Sequence, residues 1–128
     1  MSSINNQSVR KTTEQIRAKF AFEKATLKKG KKEYCQKVQG ITPDILNNGL
    51  LQTFAMYNTD TNGKLIVSDV QDWLFSEICN FGWGEEKKAT IIETLCGCPS
   101  EKYRRAQVET LAFITWLKRF TKANEGGE

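Results

Sequence analysis

Oxygen-bearing side chains alternate through Asn58, Asp60 and Asn62 ahead of Gly63 and Leu65, in the order an EF-hand calcium loop requires. Calcium needs several hard oxygens, including a bidentate acid at the twelfth loop position. Here that position is Asp69, which reaches less far than glutamate, and the first ligand, Asn58, is neutral. No second copy of the motif occurs, so the stretch reads more simply as a polar turn between helices. A calcium-binding helical adaptor using residues 58–69 stands as the alternative function. Cys35, Cys79, Cys96 and Cys98 form no C-x2-C pair, and a helix ending at Gly97 accounts for the close pair Cys96 and Cys98. The chain has no histidine, which excludes Ser/His/Asp and Cys/His sites. Gly82-Trp83-Gly84 lacks the buried strand before it and the Lys-Ser/Thr after it that a phosphate loop needs. Glu85 and Glu86 read as the acidic first turn of a helix rather than an acid/base pair. These features predict neither catalysis nor a bound cofactor.

With 128 residues, 39% hydrophobic and 27% charged, the chain has the size and composition of one globular domain. The uncharged stretch Ile45 to Tyr57 is broken by Asn47, Asn48, Gly49 and Gln52 and is too short to span a membrane. The start of the chain is polar and has no secretory apolar segment, so a soluble, cytoplasmic protein is expected. The net charge of +4 is unevenly distributed. Residues 1–39 hold ten Lys/Arg against three Asp/Glu, residues 40–100 three against eight, and residues 101–128 six against four. Basic ends suit a polyanion, and an acidic middle suits a basic protein neighbour.

Apolar periodicity predicts an all-α, compact single-domain bundle of about six helices. A flexible arm is expected over about 1–11. The first helix starts at a Thr12/Gln15 capping box, runs to about Lys28, and carries Ile16, Phe20, Ala21, Lys24 and Leu27 on one face. A second runs to about Val38 and stops at Gly40. Thr42-Pro43-Asp44 reads as the start of a third, with a capping hydroxyl and a proline at the first helical position. Its buried stripe is Ile45, Leu46, Gly49, Leu50, Thr53, Phe54 and Tyr57, with Gly49 marking a close helix crossing. Asn58 to Val67 reads as a loop turning at Asn62-Gly63, with a short strand-like run at Leu65-Ile66-Val67. Ser68 and Gln71 cap a fourth helix with Val70, Trp73, Leu74 and Ile78 inward. A turn over 81–84 puts aromatics on the core edge. Glu85 to Cys96 is the fifth, with Ala89, Ile92 and Leu95 inward. The last helix opens at Pro99-Ser100, runs to about Ala123 and leaves a disordered tail over about 124–128.

On that last helix Tyr103, Ala106, Phe113, Ile114, Leu117 and Phe120 share a core face, while Arg104, Lys118, Arg119 and Lys122 point away from it. Trp116 falls at the edge of the apolar arc near Arg105, where it serves either core packing or a surface shared with the guanidinium.

The runs Tyr103-Arg104-Arg105-Ala106 and Leu111-Ala112-Phe113-Ile114-Thr115-Trp116-Leu117-Lys118-Arg119-Phe120 closely resemble the closing signature of the Cmr small-subunit family of type III-B CRISPR RNA-guided effector complexes. Arg17-Ala18-Lys19-Phe20-Ala21-Phe22 and Ile45-Leu46-Asn47-Asn48-Gly49-Leu50-Leu51-Gln52-Thr53 agree in order. Together these blocks cover 29 of the chain's 128 residues, and the stretch from Asn58 to Pro99 adds little. The resemblance implies a compact helical protein without an active site, acting in antiviral defence. Several copies would stack beside the backbone and large subunits, flanking guide RNA and target RNA. Phosphate contacts position without reading sequence, which suits a machine whose specificity lies in base pairing. The candidate RNA contacts are Arg17, Lys19, Lys24, Arg104, Arg105, Lys118 and Arg119.

Overall fold

The computed structural model describes residues 11–85 and 89–126, which form seven α-helices and no strand. They are α1 (Thr13–Leu27), α2 (Lys32–Gln39), α3 (Ile41–Asn48), α4 (Leu50–Tyr57), α5 (Thr61–Leu74), α6 (Ile91–Gly97) and α7 (Ser100–Gly126), with a single 3-10 turn at Trp83–Glu85. None of these helices is long and apolar enough to cross a membrane. The expected arm over 1–11 lies almost wholly outside the described residues, as does the end of the expected tail. Helix α7 continues through residues 124–126, past the predicted stop.

The spine is α7, against which α1, α2 and α5 pack. Arg17 meets Glu109, Phe20 packs on Phe113, Phe22 on Phe120, and the Asn124 side-chain amide donates to the Ala25 carbonyl at 2.8 Å. Contacts that advance together along both helices mean that α1 and α7 run in the same direction. Trp73 of α5 completes this layer by stacking on Phe113, with ring centroids 5.8 Å apart and planes at 12°. Phe54, Phe113, Trp73, Tyr34, Ile114 and Leu117 are fully buried around it.

Several helix boundaries differ from the sequence reading. Thr12 and Gln15 do form a reciprocal capping box at α1. The third helix, however, starts at Ile41, not after Thr42, because Gly40 both ends α2 and opens α3. Pro43 is tolerated at the third position because N–H groups of the first turn have no helical partner. Gly49 is not a crossing point within one helix. Its φ of +85° breaks the path and separates α3 from α4. The N–H groups exposed by the break are capped from α7: Leu50 N–H donates to Gln107 Oε1 at 3.1 Å and Leu51 N–H to the Tyr103 hydroxyl at 2.8 Å. Leu46, expected in the stripe, is 64% exposed, and Leu27 of α1 is also exposed.

The largest departure is at 58–67, of which only residues 58–60 lie outside a helix. Asp60 caps α5 by accepting the Gly63 N–H at 2.7 Å, so Asn62, Gly63 and the strand-like run 65–67 all lie in the helix. Gly63 is required there by packing, since a Cβ would sit 1.8 Å from the Tyr57 carbonyl oxygen. Ser68 is therefore mid-helix, and Ile78 lies beyond the helix end and is exposed. The fifth predicted helix is also shorter. Thr90 and Glu93 make its capping box, so it begins at Ile91 and leaves Ala89 outside, while residues 86–88 lie outside the described residues. Phe81 and Trp83 stack at 4.5 Å over the core edge, as the sequence suggests.

Candidate nucleic-acid interface

The calcium arrangement is not formed in this structure. Asn58 ends α4, Asp60 is a helix cap that also pairs with Lys37 at 3.2 Å, and Asn62 is helical. Asp69 is buried and turned inward. Its carboxylate receives Lys28 Nζ at 2.8 and 3.1 Å and the Tyr34 hydroxyl at 2.5 Å. Burial, followed by the Asp69 charge and this hydrogen bond, holds the Tyr34 hydroxyl far above its ordinary pKa, so it remains a donor. A helical 61–69 segment thus turns Asp69 into the interior, away from Asp60 and Asn62, which stay together beside Lys37.

The seven basic candidates separate into two groups. Arg17 donates to both oxygens of Glu109, at 2.5 and 2.9 Å, and Glu109 also accepts the Trp73 indole N–H at 2.7 Å. The hydrogen bond to Glu109 raises the Arg17 pKa, so the guanidinium is a fixed internal charge. Lys24 pairs with Asp72 at 2.6 Å, lies 3.9 Å from Asp69 and covers the Phe20 ring. Both side chains tie α1 to the bundle.

Lys19, Arg104, Arg105 and Arg119 are exposed, Lys118 is half-buried, and none of the five has an ion-pair partner among the described residues. Lys118, Arg119 and Lys122 of α7 line a groove with Thr115, Gln39 of α2 and Thr42 of α3. Lys118 Nζ lies 3.5 Å from the Thr42 hydroxyl, and Gln39 is anchored by donating to the Lys118 carbonyl at 3.1 Å and Thr121 Oγ1 at 3.0 Å. Cations and neutral hydrogen-bonding groups without a carboxylate make a lining suited to phosphate oxygens. Lys122 belongs to this group. Its helical phase places it on the outer face, but only the α2–α3 corner makes that face a groove.

Trp116 does not meet Arg105. Eleven residues along α7 separate them by roughly 16 Å of rise. Arg119 instead sits over Trp116 at 5.8 Å, and Trp116 stacks on Phe120, with centroids 5.8 Å apart. Arg105 covers Phe81 at 4.8 Å and, with Arg104, Val108, Cys79 and Glu109, borders a second hollow near the start of α7. Burial pushes the Cys79 thiol there up to about 12, which leaves it protonated and inert at neutral pH.

Fold and surface together define a small all-helical protein whose longest helix presents unpaired cations along one side. A family model for CRISPR-associated protein (Cas_Cmr5) matches residues 13–124, and the chain belongs to that family of type III-B Cmr small subunits. No curated protein and no solved structure matches the chain.

Proposed function

We propose that the chain is a non-catalytic subunit of a cytoplasmic, RNA-targeting Cmr effector complex in antiviral defence. Several copies stack beside the backbone and large subunits, and α7 faces the phosphate backbone of the guide and target RNA. The observation that carries this reading is the family match over 13–124 combined with a groove of Lys118, Arg119 and Lys122 free of any carboxylate. Lys19, Arg104 and Arg105 extend the contact surface. Arg17 and Lys24 contribute mainly through the long-range field, because their heads are held by Glu109 and Asp72.

Along α7, Arg104 and Lys118 are separated by roughly 21 Å of helix rise, a span over which several successive phosphates of one strand fit. Such contacts fix register and leave sequence choice to pairing with the guide. Affinity purification of the tagged chain from its host tests the reading. Guide RNA and the other Cmr subunits are expected to co-purify, and their absence would overturn it.

A further inference from the structure

Beside the basic groove lies an aromatic surface that the packing of the core does not use up. Phe22 of α1 is 54% exposed and sets its ring edge-on to Phe120, with centroids 5.3 Å apart. Phe120 stacks on Trp116, so three rings from two helices form one continuous patch. Going round α7 at about 100° per residue, the outer surface passes from Lys118 through Lys122 and Thr115 to Arg119, and then to Trp116 and Phe120. Arg119 therefore joins the groove to the rings, in keeping with its place over Trp116. On α1, exposed Lys19 stands one turn before Phe22 and supplies a cation on the other flank.

A buried ring stabilises a core, but an exposed ring between cations has no such role. Ring faces attract nucleobases of any identity, and flanking cations hold the phosphates on either side of the stacked base. In an A-form duplex the bases are stacked on one another and cannot reach such a patch, so only an unpaired nucleotide fits it. Resting on the RNA-adjacent reading above, we propose that Phe22, with Trp116 and Phe120 behind it, is a stacking site for an unpaired base of single-stranded RNA, whose neighbouring phosphates lie on Lys19 and Arg119. A protein segment docking on the same rings is the competing occupant. The cations on both flanks and the adjoining carboxylate-free groove favour RNA.

The test is fluorescence anisotropy of the full chain with a labelled 12-nucleotide oligouridine and, separately, a blunt RNA duplex of equal length, at several salt concentrations. Phe22→Ala is expected to weaken single-strand binding about tenfold, leave duplex binding and the salt slope unchanged, and keep the thermal midpoint of the parent. Phe22→Trp is expected to restore or strengthen single-strand binding. Equal single-strand binding by Phe22→Ala and the parent would overturn the stacking site. If the charge reversal Lys118→Glu/Arg119→Glu still weakened both ligands in that case, the RNA-adjacent reading would stand without it. If Phe22→Ala instead left RNA binding intact and prevented co-purification with the other Cmr subunits, the patch would be a protein contact.

Discussion

Three cations in and just after α1 and four of α7 are the same residue types at helical spacing, yet they are placed in opposite ways. Arg17, Lys24 and Lys28 turn inward to Glu109, Asp72 and Asp69, each carboxylate borne by a different helix from the cation. On α7, Arg104, Arg105, Arg119 and Lys122 turn outward and make no ion pair among the described residues. The first set holds the bundle together and the second leaves a field for a polyanion. Whether a lysine is a structural tie or a binding group thus depends on what the neighbouring helix places against it.

Substitutions separate the two sets by which property they change. The largest effect is expected at the buried cluster. Asp69→Ala leaves the Lys28 ammonium and the Tyr34 hydroxyl unpaired in the interior, and should lower unfolding free energy by about 3–5 kcal/mol in urea denaturation. A drop below about 1 kcal/mol would mean that the cluster is hydrated. Next, Glu109→Ala deprives both Arg17 and the Trp73 indole of their acceptor, with an expected destabilisation of about 2–3 kcal/mol. A double-mutant cycle with Arg17→Ala should show coupling between the two sites.

Lys118→Glu/Arg119→Glu on α7 should reverse that pattern. Stability should change by no more than about 0.5 kcal/mol. Binding to single-stranded RNA should weaken, and the slope of log affinity against log salt should flatten by about 0.7 for each phosphate that is no longer neutralised. An unchanged slope would remove these residues from the interface. The smallest expected change is a gain. Thr110 Oγ1 is buried with no hydrogen-bond partner, so Thr110→Val should stabilise the fold by about 1 kcal/mol while leaving RNA affinity untouched.

Legibility in the sequence follows the range of the interaction. The capping boxes at Thr12 and Thr90 depend on side chains three residues apart. The first is plain from the sequence, whereas the acids at 85 and 86 imitate an earlier helix start and obscure the second. The core face of α7 is correct at Ala106, Phe113, Ile114 and Leu117, all fully buried. The segment 58–69 misleads because an Asn/Asp/Gly-rich stretch satisfies a polar turn and a capped helix start equally well. Asp60 as cap and Gly63 against Tyr57 decide the matter. Phe22 is hidden as a site because its place in an apolar block conceals its exposure.

By itself, the sequence determined the helical class, the family and the two-faced character of the last helix, because these follow from periodicity and from ordered local motifs. The tertiary structure alone decided which cations are free, where the helices break, and which aromatic rings face solvent. Each of these depends on a partner distant in the chain: Glu109 for Arg17, Tyr103 and Gln107 for the break at Gly49, Phe120 for Phe22. Local spacing carries no information about such partners until the helices are packed.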